Sequence, residues 1–194
     1  MAIHGYEKEL VVAHYNEPMT WLSNIPKDIR ITIYSKGEPY ENPDERTRVV
    51  ELPNVGRETH TILHHIVVRW DTLSAYTYFV HGDAPKHKLG IIRELERNPT
   101  VKGYWPIADK FLKVRDYMYD PNATPLKPFA DRMGVSLGGE FPYGAHMMVE
   151  RSRILLSERS YFEQLLGLSV LGWLWPWSFE YLWPKIFGLE RLKE

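Results

Sequence analysis

Three apolar runs, each stopping in a polar cluster, constrain this chain more than any other feature. ELVVA (9–13) runs into His14-Tyr15-Asn16-Glu17-Pro18. IRITIY (29–34) runs into Ser35-Lys36-Gly37, and YTYFV (76–80) into His81-Gly82-Asp83-Ala84-Pro85. Runs rich in β-branched and aromatic residues, bounded by Gly, Pro and Asn, read as buried strands. Between the second and third runs the turn Asn54-Val55-Gly56-Arg57-Glu58 precedes Ile62, Leu63, Ile66 and Val67, which recur at helix spacing. A helix start is expected at 19–22 and a further short strand at 49–52. Helices are expected over 89–95 and 154–166, and a strand over 145–149. Residues 98–109 and 116–136 read as irregular. Residues 168–188 read as an aromatic-rich helical end broken at Pro176 and Pro184.

Strands that alternate with helices predict an α/β fold. We expect a Rossmann-like three-layer sandwich over residues 1–194 as one domain, with a mixed, mainly parallel sheet flanked by helices. In such sheets ligands bind beyond the carboxyl ends of the strands. The three polar clusters are therefore the places where chemistry is expected.

Composition narrows that chemistry. The 194 residues are 44% hydrophobic and 25% charged, enough for a core. Lys plus Arg is 24 against 25 for Asp plus Glu, a net charge of −1 that argues against bulk nucleic-acid binding. There is no cysteine, so disulfides, thiol nucleophiles and thiolate-bound metals are excluded. No apolar run follows a basic head at the start, and a cytoplasmic protein is the expectation. No P-loop lysine motif is present.

Each cluster carries two readings. Asp83, with His81 or His87, offers an oxygen and nitrogen donor set for Mn²⁺ or Mg²⁺ held with a phosphate. Alternatively Asp83 caps the helix that follows it. Asn54-x-Gly56-Arg57 suits a pyrophosphate, with backbone N–H groups and a guanidinium facing the anion, or is an ordinary helix start. Asn16-Glu17 could hydrogen-bond a nucleoside, or cap a helix before Pro18. His60 and His64 share a helix face beside His65, but no glutamate follows the first histidine as zinc-hydrolase helices require, and core or surface packing is the simpler role. Four of the seven tryptophans, Trp173, Trp175, Trp177 and Trp183, fall near the C-terminus. They read as a docked aromatic segment, a peripheral membrane contact or a sugar-stacking platform. Within 165–183 the only formal charge is Glu180.

Taken in order, ELVVAHYNEPMTWL, ITIYSKG, LPNVGRETHTILHHI, YTYFVHGD, GAHMMVERSRIL and FEYLWPKIFG resemble an uncharacterised domain-of-unknown-function family, number 3431. Its members carry an "aRYNEdlsWl" start, an "NvGREshtyLhhI" helix, an "FlqGdp" strand end and a closing "ERlWpxiF". The resemblance covers most of the chain, and residues 96–135 match poorly. That family in turn looks like the nucleotide-sugar-binding half of GT-A glycosyltransferases. There an Asn-Glu pair follows the first strand, an Asn-x-Gly stretch opens a helix, and an Asp-x-Asp holds a divalent metal on the sugar diphosphate. The resemblance implies a glycosyltransferase that moves a sugar from a nucleoside-diphosphate donor to a glycan or small-molecule hydroxyl. It implies donor contacts from Asn16, Glu17, Lys36, Asn54, Gly56 and Arg57. Metal ligands would be Asp83 with His81 or His87, because position 81 is His where the pattern has Asp. An inverting enzyme would also need a carboxylate base, for which Glu150 and Glu140 are the candidates. The alternative on the same fold is a non-catalytic sugar or nucleotide-sugar binding module.

Overall fold

The structure is a computed structural model that describes residues 7–41, 45–97, 103–113, 130, 139–172 and 175–188. The three apolar runs form β1 (Lys8–His14), β2 (Ile29–Ser35) and β4 (Tyr76–His81), and Thr47–Glu51 forms β3. Helix α1 (Arg57–Val68) links β3 to β4. After β4 come α2 (Ala84–His87), α3 (Ile91–Glu96), β5 (Tyr104–Pro106) and β6 (Phe111–Lys113). Then follow β7 (Glu140–Pro142), β8 (Met147–Glu150), α4 (Arg151–Ile154), α5 (Arg159–Ser169) and α6 (Trp175–Ile186).

Six strands form one sheet in the order β3-β2-β1-β4-β8-β5, and β6 pairs with β7 separately. The pairs β1–β2, β1–β4 and β2–β3 are parallel, whereas β8 is antiparallel to both β4 and β5. The expected mixed, mainly parallel α/β sheet is thus present. Both faces of the sheet are covered, which is why β1, β2 and β4 are apolar nearly throughout. Val11, Phe79, Met147 and Val149 pack towards α1, α5 and α6. Leu10, Val12, Ile31, Ile33 and Val80 pack on the other face against Leu22, Ile91 and Leu95. One acidic residue breaks the apolar β1 pattern. Glu9, 1% exposed, accepts from Thr32 Oγ1 at 2.7 Å and Arg30 at 2.5 Å, which binds β1 to β2.

Four expectations are revised. The segment at 19–22 is a single 3-10 turn, Thr20–Asn24. Tyr104–Pro106, inside a stretch read as irregular, is an edge strand; it is too short to show a period. The helix expected over 154–166 is two helices with a break between them. The C-terminal segment is not broken at its prolines, because α6 runs through both. Pro176 sits in the first turn, where no N–H is needed, and Pro184 sits in the last turn. Of the tryptophans there, Trp183 is fully buried and stacks on Phe187 at 5.7 Å. Trp173 and the Trp175 side chain lie outside the described residues, as does most of 116–136. Among the described residues no helix is long and apolar enough to cross a membrane.

Candidate functional site

After β1 the chain builds outward through β2 to β3, then crosses back to place β4 on the other side of β1. The loops leaving β1 and β4 therefore diverge, and a crevice opens between them at the carboxyl ends of the strands. A cavity of about 410 Å³ lies there. The end of β1 supplies Glu17, the end of β2 supplies Lys36, and the end of β4 supplies His81, Asp83 and His87. The start of α1 adds Asn54, Arg57 and Glu58, and Tyr143, Gly144, Trp177 and Glu180 complete the wall.

His81, Asp83 and His87 each present one ligand atom within 4.8 Å of the others. His87 Nε2 lies 3.3 Å from Asp83 Oδ1. Asp83 occupies the N-cap position of α2, yet its carboxylate caps no N–H. A third imidazole, His146, sits just before β8 with its ring 4.4 Å from that of His81 and nearly perpendicular to it. The His81 backbone N–H points at His146 Nε2 across 3.4 Å. Burial lowers the pKa of His81, and lowers that of His146 well below its ordinary value. Both are held neutral, the state in which imidazole binds a metal. His81 Nε2 is buried and has no hydrogen-bond partner among the described residues. Two imidazole nitrogens, from His87 and the otherwise unpartnered His81, and a carboxylate oxygen fit a divalent cation.

Glycine shapes the floor. A Cβ on Gly82 would lie 2.8 Å from Glu17 Oε2, so any larger residue there would displace that carboxylate. Glu17 Oε2 also accepts from the Tyr15 N–H at 2.8 Å. Asn16 turns away. Its Oδ1 accepts from the Glu38 N–H at 2.9 Å, so it closes the loop after β2 and does not line the cavity.

On the α1 side, Gly56 (φ 60°) and Arg57 (φ 49°) are both left-handed. A Cβ on Gly56 would meet Ser169 O at 2.8 Å, so this glycine serves the close approach of α1 and α5. The turn is pinned by Lys36, whose Nζ donates to Val55 O at 2.7 Å and to Arg57 O. Burial pushes the Lys36 amine down to about 8, with Glu58 opposing. Lys36 thus spends donors on the turn that the sequence reading offered to a phosphate. Arg57 is half exposed, lies 3.4 Å from Glu58, and stacks 4.4 Å over Trp177. The same stacked pair also lines a second cavity of about 440 Å³.

Of the residues singled out from sequence, Glu17, Lys36, Asn54, Arg57, His81, Asp83 and His87 line the cleft. The two expected bases do not. Residue Glu150 pairs with Tyr76, at the start of β4, and accepts from the Gly103 N–H at 2.8 Å. It lies at the opposite edge of the sheet because β8 runs antiparallel. Residue Glu140 is exposed at the start of β7, opposite Lys113 and outside the cleft. His65 belongs to the core, where its Nδ1 is 3.1 Å from the Tyr34 hydroxyl. Sequence reasoning missed His146 and Glu180 as site residues. The signal for Glu180 was present, since a single acid in a long apolar aromatic stretch is either solvated or functional.

Residues 10–98 match the family described as Protein of unknown function (DUF3431). The matched residues carry β1 to α3 and with them Arg57, His81, Asp83 and His87. No curated protein and no solved structure matches the chain.

Proposed function

We propose that this cleft binds a nucleoside-diphosphate sugar and transfers the sugar to a hydroxyl acceptor, as a GT-A-type glycosyltransferase does. One observation carries the reading. At the switch point of the sheet, a donor set for a divalent cation (His81, Asp83, His87) shares a cavity with the Arg57 guanidinium. Both would face the same diphosphate. A divalent ion bound there would neutralise charge on the leaving nucleoside diphosphate. Arg57 supplies forked N–H donors to phosphate oxygens and is held flat by Trp177. Glu17 offers acceptor oxygens to ribose or base hydrogens beside β1. Lys36 fixes the turn that presents Arg57, and so acts on the anion through the backbone.

The test is isothermal titration of UDP, GDP and TDP in the presence of Mn²⁺. We expect binding of at least one, weakened at least about tenfold in Asp83→Asn because a charged ligand is lost. Equal affinities in the two proteins, or no binding by either, would refute the reading. A second reading, a non-catalytic binding module, draws support from His81 standing where the GT-A pattern has Asp. Release of product from a bound donor separates the two.

A further inference from the structure

The cleft holds four carboxylates, and three of them are committed. Asp83 faces His87 at 3.3 Å and Lys86 at 3.9 Å. Glu58 has Arg57 at 3.4 Å. Glu17 is partly open to solvent and is bound by the Tyr15 N–H. Glu180 differs from all three. It is 3% exposed and forms no ion pair among the described residues, and it accepts one hydrogen bond, from the Gly144 N–H at 3.3 Å.

Its position is built by packing that has no other evident use for an acid. Helix α6 buries Phe179, Leu182 and Trp183 in the core. It is tied to α1 by Thr59 Oγ1 donating to Pro176 O and by Trp177 beneath Arg57. That places Glu180 in the wall of the cavity beside Glu58 and Arg57, with Tyr143 and Gly144 from the loop after β7, in the same cavity that His81, Asp83 and His87 line.

We propose that Glu180 is the catalytic base of the cleft, taking the proton of the acceptor hydroxyl as its oxygen attacks the sugar. The proposal rests on the transfer reading above. The acceptor oxygen forms a bond to the anomeric carbon. The bond from that carbon to the phosphate oxygen breaks, and its electron pair leaves on the nucleoside diphosphate. The hydroxyl proton goes to the Glu180 carboxylate. Single displacement of this kind inverts the anomeric carbon. A base poised near neutral pH suits the task. Burial, then the charge of Glu58, pushes Glu180 up to about 7, while the Gly144 N–H and Arg57 pull the other way. Two carboxylates in one cleft whose surroundings differ in this way are how acid and base roles become separated.

The experiment compares wild type, Glu180→Gln and Glu180→Asp. UDP affinity with Mn²⁺ is read by titration calorimetry. Turnover is read as nucleoside-diphosphate release from a mixture of UDP-glucose, UDP-galactose, UDP-N-acetylglucosamine and GDP-mannose, with a mixture of simple glycosides as acceptor. Glutamine keeps the shape and the acceptor for Gly144, so the fold is retained, and the melting temperature checks this. We expect UDP affinity within about threefold of wild type for Glu180→Gln and turnover lower by about 100-fold or more, with partial activity in Glu180→Asp. Wild-type turnover should fall as pH drops below about 7, with no such limb in the residual activity of Glu180→Gln. If wild type turns over and Glu180→Gln matches it within about threefold, the base is elsewhere and the transfer reading stands. If wild type binds UDP but releases nothing, the base assignment falls and the binding-module reading takes over. If wild type binds no nucleotide, both proposals fall.

Discussion

Glu180→Gln should make this protein more stable, by an amount that grows as pH rises from about 4.5 to about 7. An ordinary glutamate titrates near 4.5, whereas Glu180 in the folded chain is pushed up to about 7 by burial and by Glu58. Between those values the folded state holds a proton that the unfolded state has released. Stability therefore falls as pH rises through this interval. At about 1.4 kcal/mol for each tenfold change in proton affinity, the carboxylate costs about 3 kcal/mol by about pH 8. Glutamine has no charge to bury. The variant should match wild type at about pH 4 and exceed it by about 3 kcal/mol at about pH 8. For a chain of this length that is about 6–12 °C in melting temperature. Urea titrations of both proteins at matched pH values give the difference directly. Taking the difference matters, because His60 and His65, lowered to about 4 chiefly by burial, make stability rise with pH over an overlapping range in both proteins. A gap independent of pH, or a variant weaker than wild type at about pH 8, would refute the reasoning and show that Glu180 is solvated or paired.

Other perturbations probe the same edge of the sheet. Gly37→Ala puts a Cβ 2.2 Å from both Tyr15 O and Asn16 Oδ1, so the loops after β1 and β2 must part; a loss of about 2 kcal/mol or more is expected in chemical denaturation. The paired imidazoles of His81 and His87 should favour a transition ion over Mg²⁺. Calorimetry without nucleotide should show Mn²⁺ or Co²⁺ binding at least about tenfold more tightly than Mg²⁺, with EDTA reversing it and His87→Ala removing it. Equal affinity for Mg²⁺ would argue that the imidazoles are not ligands.

Much of the sheet was legible because its strands are buried on both faces, which leaves runs such as Ile29–Ser35 apolar and β-branched from end to end. The polar clusters after β1, β2 and β4 were legible as a site for the same reason, since parallel strands deliver their carboxyl ends to one edge. Strand direction was not legible. The run around Met147–Glu150 reads as a strand, but nothing in its residues says that it is antiparallel. That reversal takes Glu150 to the far edge and brings His146 against His81. The role of Lys36 was hidden for another reason, because a lysine that fastens backbone carbonyls looks in sequence like a lysine awaiting a phosphate. The α6 wall was hidden because its contact with α1 is made by residues more than a hundred positions apart, Thr59 and Pro176.

That long reach has a consequence for timing. The candidate ligands His81, Asp83 and His87 have all been made once the chain reaches residue 87, whereas Glu180 lies 93 residues later by sequence number. At about 5–20 residues per second, the ribosome needs several seconds or more to add that stretch. A nascent chain of intermediate length carries the lining residues from β1 to α2 without Trp177 and Glu180. The cavity wall is completed by one of the later elements to be translated, so a chain stopped before α6 has an incomplete cleft.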